Sequence, residues 1–202
     1  MALGNPTEII NLLDDIKPPP HNKVILSQAY LMKGEIVKAK TKLQESMFLS
    51  IMELFETIPS YLAICADAQE LFEETYNRAA ELINTWGLKE LTPATILGFY
   101  ISAAHGFIAN NNINKALELL ETYTEIVTGD IYPVSLVKQD KFFDLIDSTT
   151  GHLTYGIAEV PRDEKSIKQS MTDIVVENPA FSALYETPRF NAIKEKLENN
   201  VK

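Results

Sequence analysis

A chain of 202 residues with 46% hydrophobic and 23% charged residues has the apolar content of a folded domain, which excludes wholesale disorder. Its formal charge of −10 sets it against DNA, RNA and anionic membranes, because an acidic surface repels phosphate. Cys65 is the single cysteine, so no intramolecular disulfide can form, and a reducing compartment fits best.

Asn5-Pro6-Thr7-Glu8 predicts a helix start: Asn caps, Pro suits the first helical position, and Glu8 sits three residues after the cap. Ile9, Leu12, Leu13 and Ile16 supply its apolar stripe, and Pro18-Pro19-Pro20 stops it as a stiff connector. A helix from about His21 then leads through Gly34 into a second, whose expected buried face is Ile36, Ala39, Leu43, Met47, Ile51 and Leu54. Pro59 is expected to end or kink it. Phe72, Tyr76, Ala79, Ile83 and Trp86 mark another helix, closed by Gly87. Thr92-Pro93 caps and starts a charge-poor helix ending near Asn110, and Ile113 to Val127 is its partner, closed by Gly129. Asn110-Asn111-Asn112 between them reads as a turn plus a cap rather than a ligand site.

Beyond Gly129 the periodicity weakens. Asp140 to Ile146 reads as a short helix and Thr149 to Val160 as loop. A helix carrying Ile167, Met171, Ile174 and Val175 follows Pro161-Arg162-Asp163. Asn178-Pro179 and Thr187-Pro188 are two further starts, the last opening a helix with Phe190, Ile193 and Leu197. No segment alternates with period two between hairpin turns, so the chain reads as all-α.

One pattern occurs twice at an offset of 77 residues. Leu26, Tyr30, Gly34, Ile36, Ala39 and Leu43 correspond to Ala103, Phe107, Asn111, Ile113, Ala116 and Leu120. Gly or Asn at the turn tolerates positive φ, and Ala falls where two helix backbones approach. Tyr76, Ala79 and Ile83 echo the second half of the pattern, as a degenerate middle repeat. The expected core is Leu26, Tyr30, Ala39, Leu43, Ala79, Ile83, Phe107, Ala116 and Leu120.

These spacings resemble tetratricopeptide (TPR) helical hairpins. The expected fold is an all-α, TPR-like array of antiparallel helical hairpins, an α-solenoid with a C-terminal helical cap. Residues 1–130 form the repeats, and residues 131–202 a helical segment continuous with them. Leu26-Ser27-Gln28-Ala29-Tyr30-Leu31-Met32-Lys33-Gly34 and Val127-Thr128-Gly129-Asp130-Ile131-Tyr132-Pro133 sharpen the likeness. So do the run from Pro161 to Met171, Asn178-Pro179-Ala180-Phe181 and Thr187-Pro188-Arg189-Phe190. Together they resemble the C-terminal region of XRE-type (Cro-repressor-like helix-turn-helix) transcriptional regulators of Gram-positive bacteria. The resemblance implies a ligand- or peptide-sensing and homodimerising module, with DNA bound by a separate N-terminal helix-turn-helix. No such module is present in these residues, so the chain is expected to be either an excised fragment or a protein that acts without touching DNA. The alternative function is a free-standing TPR-like adaptor for a protein partner.

In such hairpins the first helix lines the concave groove. That places Val24, Gln28 and Leu31 on it in one repeat, and Ile101, His105 and Ile108 in the other. Gln28 and His105 share a register and could orient a bound peptide or protein segment; the alternative for His105 is a hydrogen-bonded core residue. Catalytic, metal and cofactor sites are not expected. His21, His105 and His152 lack ligand spacing, and Cys65 reads as buried filler. Glu70, Glu73 and Glu74, like Glu118, Glu121 and Glu125, read as solvated outer faces. The N-terminus lacks a secretion signal, and the apolar centre from Ile96 to Ala109 falls short of the roughly 20 residues a bilayer needs. A soluble, cytoplasmic, non-enzymatic protein with no membrane contact is the expectation.

Overall fold

In the computed structural model, which describes residues 5–13, 20–129, 131, 140–146 and 163–202, every regular element is a helix. The described residues fall into two compact units. One holds residues 5–13, 20–54 and 140–146, and the other residues 55–129, 131 and 163–202.

The first unit begins as its sequence implies. Asn5 Oδ1 accepts the Thr7 backbone N–H at 3.0 Å, and Pro6 opens α1 (Pro6–Leu13). Ile10 and Leu13, three residues apart on one face, pack against Leu26, Tyr30 and Ala39. Leu12, expected on that face, is instead 65% exposed. Pro20 opens α2 (Pro20–Met32); Ile16, Pro18 and Pro19 lie outside the described residues.

Gly34, at φ 75°, then turns the chain into α3 (Ile36–Ile64). Two hydrogen bonds close the end of α2: Gly34 N to Leu31 O at 3.0 Å, and Glu35 N to Tyr30 O at 2.9 Å. This is the Schellman ending, in which a left-handed residue satisfies carbonyls that the helix leaves open. Between α2 and α3 a buried ion pair joins Lys23 Nζ to Glu45 Oε2 at 2.6 Å, and Ser46 Oγ donates to the Pro20 carbonyl at 2.8 Å.

The buried face of α3 differs from the expected one. Ala39, Ser46, Phe48, Leu49 and Met52 are buried, while Ile36, Leu43, Met47 and Leu54 are exposed. Steps of four residues, as from Ala39 to Leu43 to Met47, advance about 40° per step around a helix of 3.6 residues per turn. The side that stays buried alternates threes with fours. Pro59 does not end α3, which continues five residues past it.

The segment from Asp140 to Ile146 is a set of turns, not a helix. Asp140 Oδ1 accepts the N–H groups of Phe142 and Phe143 at 2.7 and 2.9 Å, a side-chain alternative to helical pairing. Phe143 meets Phe48 edge-on at 5.7 Å, and Gln44 clamps the segment by donating to Phe142 O and accepting from Leu145 N.

In the second unit, α4 (Gln69–Thr85) ends near Gly87, at φ 57°, and leads to α5 (Leu88–Leu91), a 3₁₀ turn (Pro93–Ile96) and α6 (Leu97–Ala109). Thr92 makes no capping bond from its side chain; its hydroxyl sits 2.7 Å from that of Thr95. Then Asn111 repeats the part of Gly34. At φ 57°, its N–H donates to Ile108 O at 2.9 Å and that of Asn112 to Phe107 O at 2.7 Å. The flanking asparagines have structural partners too. Asn110 donates to Ala66 O and Gly106 O, and Asn112 caps α7 (Ile113–Val127) by accepting from Lys115 N.

An aromatic cluster joins α4 to α6: Phe72 and Tyr76 contact Phe107 edge-on, and Tyr76 stacks on Phe99 at 5.6 Å. Of the expected core, all are buried except Leu43.

Asp163 caps α8 (Glu164–Val176), Asn178 caps a 3₁₀ turn (Pro179–Leu184), and Thr187 caps α9 (Pro188–Val201). Val175 is buried on α8, but Ile174 points outward. The Tyr123 hydroxyl donates to Met171 O at 2.7 Å, and Asn200 donates to Val127 O at 3.2 Å, tying α8 and α9 to α7. Arg189 grips Glu121 in a fork, Nε to Oε1 at 2.8 Å and Nη2 to Oε2 at 2.7 Å.

Those hydrogen bonds hold the Glu121 carboxyl below its ordinary 4.5. A carboxylate with a lowered folded-state pKa adds stability above its unfolded pKa, and loses it as pH falls through the folded value. Both side chains are about two-fifths exposed, so solvent screening keeps the pair's contribution small. Arg189→Gln is therefore expected to lower urea-melt stability slightly near neutrality, and the gap to the parent should close well below pH 4.5. A gap that persists in acid would assign the loss to packing.

Candidate functional site

The sequence-predicted groove residues occupy two helix faces. On α2, Val24 is half-buried, while Gln28 and Leu31 are exposed. On α6, Ile101 and Ile108 are half-buried around an exposed His105. Exposure removes the core reading of His105. Each trio follows the i, i+4, i+7 spacing and so shares one side of its helix. The α2 trio belongs to the first unit and the α6 trio to the second.

A different set of side chains builds a cleft of about 170 Å³ within the second unit, where α4, α5, α6 and α7 meet. Tyr76 supplies the part-exposed aromatic lining, backed by the fully buried Phe99 ring, their planes 7° apart. Lys115 reaches over this lining from α7, with Nζ 5.8 Å from the Tyr76 ring centre, a cation–π contact. The same Nζ donates to Glu118 Oε2 at 3.0 Å, and that bond raises the Lys115 pKa, with the Tyr76 hydroxyl adding to it. Lys89 enters from α5, exposed, with no partner among the described residues.

Tyr100 completes the lining, although the residue is only 5% exposed. Burial, then the charges of Tyr76 and Glu90, pushes its phenol up to about 12, so it is a hydrogen-bond donor at any physiological pH. The cleft can therefore offer a ring face, two ammonium groups, one carboxylate and a phenol donor.

No protein-family model, curated protein or solved structure matches this chain. Cys65 is buried beside Tyr61, one turn earlier, and raises the Tyr61 pKa through their hydrogen bond. His21 is exposed, and His152 lies outside the described residues. Among the described residues, no group of three or more His, Cys, Asp or Glu side chains is placed to hold a metal ion.

Sequence reasoning missed the cleft because its members look ordinary one by one. Tyr76 reads as core, Glu118 as outer face, and Lys89 as a surface lysine. The one local signal is Lys115 three residues before Glu118, a common helix-surface pair.

Proposed function

We propose that this chain is the regulatory region of a bacterial XRE-type helix-turn-helix transcriptional regulator, sensing a ligand or peptide and dimerising through a TPR-like hairpin array. Any DNA contact comes from a helix-turn-helix module outside these residues. The observation carrying this reading is the identical helix ending at Gly34 and Asn111, at the 77-residue offset of the sequence pattern. In each case the helix before the turn carries a solvent-facing polar residue: Gln28 beside half-buried Val24 and exposed Leu31, and His105 between half-buried Ile101 and Ile108. Each unit is read by itself: Gln28, beside Val24, is the polar residue to orient a bound segment on the first, and His105, between Ile101 and Ile108, the one on the second.

Dimerisation has a candidate surface in the exposed apolar run Ile36, Leu43, Met47 and Leu54 of α3. This helix is also long and apolar enough to cross a membrane, by length and composition. Its buried Lys23–Glu45 pair with α2 favours packing in a water-soluble fold over a bilayer.

The test is native mass spectrometry of protein purified from its own host. A bound peptide or small molecule is expected, and His105→Ala should weaken its retention by roughly 1–3 kcal/mol if the hydrogen bond is buried in the complex. The melting temperature should stay near that of the parent, because exposed substitutions cost within about 0.5 kcal/mol. A marked loss of stability with unchanged retention would remove His105 from the site. A partner protein in place of a small ligand, with no helix-turn-helix encoded in frame upstream, would favour the adaptor. The chain by itself should not retard duplex DNA near physiological salt, given its charge of −10. Sub-micromolar, salt-dependent retardation would overturn the assignment of DNA contact to another module.

A further inference from the structure

The cleft at Tyr76 and Lys115 is built from other residues than the groove face, and its chemistry is legible without the regulator reading. Its lining carries two ammonium groups, Lys89 and Lys115, against one carboxylate, Glu118. Glu90, outside the lining but close enough to act on Tyr100, balances the second ammonium, so the cleft is locally neutral inside a strongly acidic chain. The Lys115 charge is already shared with Glu118 at 3.0 Å, so Lys89 is the cation open to a ligand.

A second observation points the same way. Tyr100 is only 5% exposed, yet its hydroxyl has no hydrogen-bond partner among the described residues. Among those residues, no fully buried side-chain polar atom lacks a partner, so this hydroxyl must reach the surface. The surface that Tyr100 lines is the cleft. A nearly buried donor held open in an aromatic recess is suited to an acceptor that arrives from solution.

Size narrows the guest. A cavity of about 150 Å³ holds a benzene ring, and this cleft is about 170 Å³. One ring with a short polar arm fits.

We propose that this cleft binds a small aromatic monocarboxylate, its ring beside the part-exposed Tyr76 and its carboxylate meeting the Lys89 ammonium and the Tyr100 hydroxyl. The neutral amide of the same acid keeps the ring contact but loses the charge-assisted bond. A ring bearing an amine meets the lysines as a like charge.

The experiment titrates the full chain with phenylacetate, phenylacetamide and benzylammonium, followed by heteronuclear NMR. Phenylacetate is expected to shift amides around Tyr76, Lys89, Tyr100 and Lys115. Phenylacetamide should bind about tenfold more weakly, and benzylammonium more weakly still. Lys89→Ala and Tyr100→Phe should each weaken phenylacetate several-fold, and Lys89→Ala, at an exposed position, should leave the melt unchanged. Equal binding of acid and amide, preference for the amine, shifts away from the cleft, or no binding of phenylacetate at millimolar concentration overturns the proposal. Unchanged affinity in Lys89→Ala overturns it as well, because Lys89 is the open cation.

Discussion

Glu45→Ala is expected to remove about 3–5 kcal/mol of folding stability, the cost of stranding a buried charge. The Lys23 and Glu45 side chains are 8% and 5% exposed and meet at 2.6 Å. Taking the carboxylate away leaves the Lys23 ammonium in a dry place, with a cavity where Glu45 was. Lys42, 3.6 Å from the same carboxylate oxygen, loses its contact too. The pair itself adds little net stability, since desolvating two ions offsets most of their attraction. The contrasting variant therefore replaces both: Lys23→Met with Glu45→Leu should be near neutral or gain stability, by up to about 4 kcal/mol. Urea melts of the three proteins decide the matter. A loss below about 1 kcal/mol in Glu45→Ala would mean that water reaches the site and the burial is not real.

Gly106→Ala is expected to be the most harmful single-methyl change in the second unit. A Cβ at this position would lie 2.1, 2.4 and 2.9 Å from three carbons of the Phe72 ring. That ring is fully buried and sits edge-on to Phe107 at 5.0 Å, so it has no free space to swing into. Two effects oppose each other. Alanine is a better helix former than glycine by about 1 kcal/mol. Overpacking a filled core typically costs about 1–3 kcal/mol net, and contacts this short belong at the upper end. Overpacking should win. Phe72→Leu made together with Gly106→Ala should recover part of the loss, giving a favourable coupling in a double-mutant cycle. If Gly106→Ala is neutral or stabilising in a thermal melt, α4 and α6 are not in the contact described.

Much of the secondary structure was legible, for reasons that lie close to each boundary. Gly34 and Asn111 are residues that accept positive φ, and both stand where the helices end. Asp163, Asn178 and Thr187 each precede a turn whose open N–H they satisfy. What failed depended on tertiary packing. Leu43 and Met47 have the right chemistry for a core, but the side on which α3 meets its neighbours selected Phe48, Leu49 and Met52. Ile174 and Val175 are adjacent and equally apolar, and only packing against the following helix decides which is buried. Asp140 tipped its segment into turns by bonding two backbone N–H groups itself. For the candidate sites, the two groove trios follow from periodicity along single helices. The cleft does not, because Tyr76, Lys89, Tyr100 and Lys115 come from four helices and meet only after folding.

The chain order of these contacts bears on how the protein can be made. Phe143 and Leu145, which complete the first unit, follow Gln44 and Phe48 by about a hundred residues. Asn200, which completes the second, bonds a carbonyl 73 residues earlier. On the ribosome both units must therefore wait with apolar surface uncovered, the first until Phe143 has emerged and the second until α9 has. Such long-range closures slow folding, and partly covered intermediates are prone to aggregate. Neither unit can be cut out as one uninterrupted stretch of chain, and slower synthesis at lower temperature should raise the soluble yield.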